Sequence, residues 1–318
     1  MDKLRFVIVG GTGQVGSLLA RHFHHNGHSV AVIARHVHAA PWPTISWTGN
    51  ELGLWTEEIN KADVVINLAG RSVNCRYTET NRREIIESRV HSTRIIGEAI
   101  ANAAHPPRLW LNASTATIYR HALDREMDEF TGDLGGSEPG APSSWIFSID
   151  VAKSWEEAFF MAQTLHTRKI ALRSAMVMSP DKGGIFATLL NLVRVGLGGR
   201  AGSGRQFVSW IHDADFIRAL EFLIAHEELD GCINICSPFP LPNRDFMAAL
   251  RQAYGIPFGL PAANWMIEIG TFFLRTESEL ILKSRRVVPG RLLDAGFEFL
   301  LPHWPEAAQD LVKRWQQI

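Results

Sequence analysis

Apolar residues fall along this chain in two rhythms. Short continuous runs, such as Phe6-Val7-Ile8-Val9 and Val30-Ala31-Val32-Ile33, are bounded by glycine or charge. Longer stretches between them repeat an apolar position every three or four residues. The first pattern predicts fully buried strands, and the second predicts helices packed on one face. Strands are expected over 5–9, 28–34, 44–47, 63–70, 108–113 and 169–173. Helices are expected over 13–25, 54–61, 79–104 and 145–165. Within the long helix, Ile86, Val90, Thr93, Gly97 and Ile100 set the apolar stripe. Alternation of this kind predicts an α/β fold, a doubly wound parallel sheet with helices on both faces.

After Pro180 the rhythm changes. A helix over 185–195 precedes a loop containing Gly196, Gly198, Gly199, Gly202 and Gly204. A strand over 206–210, a helix over 213–225 and a strand over 232–236 follow. Helices over 243–254 and 262–274, an apolar piece over 286–289 and a terminal helix from Pro305 complete the chain. The expected division is a dinucleotide-binding domain over 1–180, completed by about 212–236. A smaller α+β substrate domain takes up 181–318. Residues 120–144 are polar, acidic and rich in Gly and Pro, and read as a long loop over the site, a lid.

The first strand runs into Gly10-Gly11-Thr12-Gly13-Gln14-Val15-Gly16 and then a helix. Strand, glycine turn and helix in this order form the Rossmann fingerprint. Gly10 permits the sharp turn, Gly13 admits a pyrophosphate to the backbone, and Gly16 lets the helix pack close to the sheet. A carboxylate usually ends the second strand and holds a ribose 2′-hydroxyl. Here the strand ends Ile33-Ala34-Arg35-His36. A guanidinium pairs with a 2′-phosphate where a carboxylate would repel it, so the cofactor expected is NADP. The candidate cofactor contacts are Gly10, Thr12, Gly13, Gln14, Val15, Gly16, Arg35 and His36. Leu68, Ala69 and Gly70 at the fourth strand end, with Ser114 and Lys153, complete the set.

Composition narrows the function classes. Of 318 residues, 32 are basic and 33 acidic, giving a net charge of −1 that offers no general attraction to nucleic acid or anionic membranes. The cluster Lys283, Arg285 and Arg286 reads as a solvated face. No apolar run is long enough to span a bilayer. The N-terminus enters a strand at once and leaves no room for a signal peptide, so a cytoplasmic setting is expected. Cys75, Cys232 and Cys236 make no disulfide framework. Cys232 and Cys236 share one strand face and read as core. The histidines at 22, 24, 25, 28, 36 and 38 lack metal-ligand spacing, so no metal is expected. A small-molecule substrate is the expected partner, and a homodimer is left open.

The motifs resemble those of the extended short-chain dehydrogenase/reductases, and within them the atypical "epimerase family protein" branch. Nearly the whole chain takes part. The resemblance rests on Gly10–Gly16, Asn67-Leu68-Ala69-Gly70, Glu87-Ser88-Arg89-Val90-His91-Ser92-Thr93 and 202–212. Its most specific stretch is Arg286-Val287-Val288-Pro289-Gly290-Arg291-Leu292-Leu293-Asp294-Ala295-Gly296-Phe297. It implies a Rossmann domain that binds NADP and a C-terminal domain that closes a substrate cleft.

The resemblance also implies a Ser or Thr, a Tyr and a Lys as catalytic groups. Thr115, in Ser114-Thr115-Ala116-Thr117-Ile118-Tyr119, is the hydroxyl candidate. Lys153 falls where the superfamily lysine is expected, but Ile149 stands four residues before it in place of the tyrosine. Lys153 reads equally as a solvated helix lysine. Tyr119 is the nearest other phenol and is either the acid/base or a packing residue. Arg71 and Arg76 are candidates for an anionic substrate or ordinary surface charge. Gln206, Trp210 and His212 either return to the cleft or, for His212 with Asp213 and Asp215, start a helix. Two functions follow: an NADP-dependent oxidoreductase or epimerase-like enzyme on a small polar, sugar-like substrate, or a non-catalytic NADP-binding sensor or scaffold.

Overall fold

The computed structural model describes residues 3–263, 267 and 277–318. The first strand β1 (Arg5–Val9) feeds helix α1 (Gln14–His25), then β2 (Ser29–Ala34), β3 (Thr44–Ser46), α2 (Thr56–Ile59) and β4 (Val64–Asn67). The long α3 (Glu79–Ala101), β5 (Leu109–Thr115), α4 (Ser143–Phe160) and β6 (Arg168–Ser174) follow. An excursion holds β7 (Met176–Met178), α5 (Ile185–Arg194), β8 (Phe207–Val208) and β9 (Trp210–His212). Then come α6 (Asp213–Ala225), β10 (Gly231–Ile235), β11 (Leu241–Pro242) and α7 (Asn243–Tyr254). Short α8 (Glu279–Leu282) and α9 (Gly290–Asp294) precede α10 (Trp304–Trp315).

Seven strands form one all-parallel sheet in the order β10-β6-β5-β4-β1-β2-β3. Strand order reverses between β1 and β4, and in such sheets the crevice beyond that point receives the ligand. The chain leaves the sheet after β6 and returns to it only in β10. Alternate side chains of each strand enter opposite cores. Phe6 and Ile8 pack with Leu19, Phe23 and Leu220 on one face. Val7 and Val9 pack with Ile96, Trp110 and Phe159 on the other. A third core joins α5, α7 and α10, where Trp304 stacks on Phe246 at 4.0 Å.

Most expected elements are present, with informative differences. Strand β4 stops at Asn67 rather than running to residue 70. The Asn67 side chain takes over there: its Oδ1 accepts the Ala69 N–H at 3.0 Å, and its Nδ2 donates to Asn112 Oδ1 at 2.7 Å. The expected 206–210 strand divides at Ser209, whose hydroxyl bonds the backbone at Arg285 and Val287. The helix expected over 262–274 falls mostly outside the described residues. Residues 120–144 are no lid. Met127 is buried and exchanges backbone bonds with Arg286 and Val288, pinning this loop to the C-terminal segment. Nor is Lys283 on a solvated face. It is 1% exposed and donates to the Thr117 carbonyl at 2.7 Å. Among the described residues no helix is long and apolar enough to cross a membrane.

Candidate functional site

The glycine turn shows which glycines serve packing and which serve something else. Gly10 has φ +74°, and a Cβ there would sit 2.8 Å from Ala69 N. A Cβ on Gly16 would lie 2.4 Å from Gly11 Cα. Both positions are closed to any side chain by the protein's own backbone. Gly13 differs: the nearest atom to its Cβ would be Gly10 O at 3.7 Å, and the position is exposed. It caps α1 with no side-chain bond, and no acidic residue occupies the first turn. The positive end of α1 is therefore open to an anion.

This turn borders a cavity of about 820 Å³. Thr12 lines it beside Gly10 and Gly13, Ala34, Arg35 and His36 line it at the end of β2, and Leu68, Ala69 and Gly70 line it beyond β4. Arg35 is exposed, and among the described residues no carboxylate pairs with it. A second cleft of about 490 Å³ adjoins the first, and Leu68 lines both. Gln14, Val15, Ser114 and Thr115 line the second. Gly184 lies so close to Gln14 that a Cβ would come within 2.2 Å of its Nε2. That amide nitrogen is buried without a hydrogen-bond partner. An open Gly13, an unanswered Gln14 amide and an unpaired Arg35 fit a phosphorylated dinucleotide laid across both cavities.

The catalytic candidates separate. Thr115 lines the cleft, where its Oγ1 accepts the Thr117 N–H at 3.1 Å. Tyr119 lies outside it, 2% exposed. Its hydroxyl donates to Asn234 Oδ1 at 3.0 Å and accepts from Arg173 Nη1 at 2.9 Å. Burial pushes its pKa up to about 12. Arg173 in turn forks onto Glu156 with two bonds of 2.8 Å, and Ser114 donates to the same carboxylate at 2.6 Å. Tyr119 therefore belongs to a buried structural network behind the cleft.

Lys153 is also outside. The face of α4 toward the cleft carries Phe147, Ser148, Val151 and Trp155. Ile149 and Lys153 lie on another stripe and face the loop near Gly135, whose carbonyl accepts from Lys153 Nζ at 2.6 Å. The Ile149 departure thus concerns a stripe of α4 that does not meet the cleft. His212 caps α6 by accepting the Ala214 N–H, and its Nε2 lies 3.0 Å from Asp310 Oδ2. Gln206 and Trp210 are buried and do not line the cleft. Arg71 pairs with Glu84 and donates to Asn81 Oδ1, and Arg76 faces Glu277 at 3.8 Å.

Four polar cleft residues, Tyr77, Ser148, Glu279 and Arg89, escaped the sequence reading. Tyr77 follows β4, and its hydroxyl lies 3.3 Å from Ser148 Oγ. Ser148 donates to Glu279 Oε2 at 3.2 Å, and Glu279 Oε1 accepts from Arg285 Nη2 at 2.5 Å. Glu279 and Leu280 of α8 form the part of the wall contributed by the C-terminal segment. Burial raises the Tyr77 phenol to about 12, so it is protonated at neutral pH. Arg89 of α3 lies with its Cζ 5.1 Å over the Trp155 ring, and burial lowers its pKa to about 10, which leaves it charged. A signal existed for it. The buried stripe of α3 is Ile85, Thr93, Ile96, Gly97 and Ile100, one residue off the expected register at its start. Arg89 stands in the run quoted for the family resemblance, four residues before Thr93.

The sequence profile of the NAD dependent epimerase/dehydratase family matches residues 6–236, and that of a domain of unknown function, DUF1731, matches 263–311. The mouse epimerase family protein SDR39U1 is 31% identical over 315 residues, covering 97% of this chain and 100% of its own. The Staphylococcus saprophyticus epimerase family protein SSP1921 is 31% identical over 307 residues, with coverage of 96% and 99%. A crystal structure of human epimerase family protein SDR39U1 (isoform2) with NADPH matches this fold with a TM-score of 0.83 at 26% identity. The match covers 98% of this chain and 99% of that one.

Proposed function

The chain belongs to the NAD dependent epimerase/dehydratase family, and on that premise we propose that it is an NADP(H)-dependent oxidoreductase or epimerase-like enzyme acting on a small polar substrate. One observation carries this reading: two cavities share Leu68 in their walls across the β1–β4 reversal, one holding the glycine turn and Arg35 and the other Thr115 and Tyr77. The NADPH of the human relative supports the cofactor choice, as does Arg35 in place of a carboxylate.

In this reading Gly10, Thr12 and Gly13 receive the pyrophosphate with the start of α1, and Arg35 takes the 2′-phosphate. Leu68, Ala69 and Gly70 follow the passing dinucleotide, and Gln14 offers its free amide. A nicotinamide held there would supply or accept hydride. Thr115 holds the substrate oxygen by hydrogen bond. Tyr77, protonated at neutral pH, gives that oxygen its phenol proton, although burial makes it a weaker acid than a free phenol. Ser148 and Glu279 orient the phenol, and α8 excludes water from it.

A second reading, an NADP-binding sensor, draws support from the cleft face of α4, which carries no ionisable side chain. Titration with NADPH and NADH, followed by NADPH consumption across a panel of small carbonyl compounds and nucleotide sugars, separates the readings. Tighter NADPH binding with turnover supports the enzyme. NADPH binding with no turnover across the panel supports the sensor. Equal or tighter NADH binding overturns the Arg35 assignment.

A further inference from the structure

The guanidiniums around the two cavities are almost all answered by carboxylates. Glu84 pairs with Arg71, Glu277 with Arg76, Glu156 with Arg173 and Glu279 with Arg285. Arg89 is the exception inside the cleft. One of its nitrogens, Nη1, donates to the Ile85 carbonyl at 3.0 Å, and the described residues provide no carboxylate for the rest. Its position is built, because its Cζ stands 5.1 Å over the Trp155 ring and Gly70 makes room beside it. A Cβ on Gly70 would stand 3.2 Å from Arg89 Cζ.

A charge held out of bulk water without a counter-ion is costly, and a planar fork of donors matches an oxyanion well. We propose that Arg89 is the anion receptor of the cleft and that its free guanidinium edge binds a phosphate or carboxylate group of the ligand. Two ligands carry that chemistry: the dinucleotide, through its pyrophosphate, and a small substrate bearing an acid group. The inference deepens the cofactor reading and rests on it. It adds a cationic contact from α3 in the half of the site where Lys153 is absent.

The test compares wild type with Arg89→Gln and Arg89→Lys by fluorescence and calorimetric titration. Adenosine 2′,5′-bisphosphate reports the adenosine half alone. NADPH reports the whole dinucleotide. Oxalate and inorganic phosphate, added to the NADPH-saturated protein, report a substrate anion. If the pyrophosphate is the ligand, Arg89→Gln weakens NADPH at least about tenfold and leaves the bisphosphate unchanged. If a substrate acid is the ligand, NADPH binding is unchanged, and the wild-type complex binds oxalate or phosphate at least about tenfold more tightly than Arg89→Gln. In either case Arg89→Lys keeps part of the affinity, because the charge remains and the fork is lost.

Unchanged NADPH affinity together with no Arg89-dependent anion binding overturns the proposal. Equal losses in the Gln and Lys variants overturn it too, since they would trace the effect to packing on Trp155. Failure of wild type to bind NADPH sinks the cofactor reading instead, and is seen before any variant is made. Melting temperatures of all three proteins separate loss of binding from loss of fold.

Discussion

The two cavities that meet at Leu68 are made of different materials. The larger carries the glycine turn near 10–13 with 34–36 and 68–70, and is completed by larger side chains of 47–50 and 84–92 such as Trp47, Glu87 and His91. The smaller is bounded by large side chains that the topology gathers from far apart. Tyr77 and Glu277, joined by a backbone-to-carboxylate bond of 2.7 Å, are 200 residues apart in sequence. A glycine turn is written in local spacing, because each glycine answers a local steric demand. A side-chain-lined site is written in the fold, and no spacing rule reaches it.

That contrast can be broken most forcefully at Tyr77. Tyr77→Phe should leave NADPH affinity intact and lower turnover of any accepted carbonyl by about 10²–10⁴-fold in kcat. Unchanged kcat would return the proton to another group. Next is the pair Gly13→Ala and Gly16→Ala. Gly13→Ala should keep the melting temperature and weaken NADPH on the order of 100-fold, since only the ligand needs that space. Gly16→Ala should cost about 1–3 kcal/mol of stability through overpacking against Gly11. Equal stability of the two variants would contradict the division between packing and ligand glycines.

Smaller effects sharpen the comparison. Arg35→Ala should lower NADPH affinity by about tenfold or more and leave NADH unchanged, as judged by parallel titrations. Lys283, buried behind Thr117, tests the C-terminal wall. Burial lowers its pKa to about 7, far below the unfolded value. Between these two values the unfolded chain binds more protons, so folding stability rises with pH from about 7 upward. Denaturant midpoints at pH 7 and pH 9 should show wild type gaining up to about 2 kcal/mol relative to Lys283→Met. Least affected is Lys153→Ala, whose NADPH binding and stability should stay within about 0.5 kcal/mol of wild type.

Legibility in the sequence follows the same line. The sheet was readable because buried parallel strands are continuous apolar runs, and Arg5–Val9 and Ser29–Ala34 stand apart from their flanks. The glycine turn was readable for the steric reason already given. Lys153 could not be placed from spacing, because a helix carries several stripes, and four-residue spacing says which residues share one but not where it points. Ile149 and Lys153 do share a stripe, and it faces Gly135. Tyr77, Ser148 and Glu279 share no pattern at all. Each is an ordinary residue until α8 folds back over α4.

The detour of the chain between β6 and β10 also bears on how the molecule is made. On a ribosome, β6 emerges with one edge bare, and its partner appears only after residues 175–230 have followed. Until then Tyr119 lacks Asn234, and an unpaired row of strand amides invites pairing with another nascent chain. A long-range pairing of this kind is also slow to form. The excursion that walls the cleft is therefore a delay built into synthesis, and until it ends the β6 edge stays bare, to be covered by β10, which then becomes the edge strand itself.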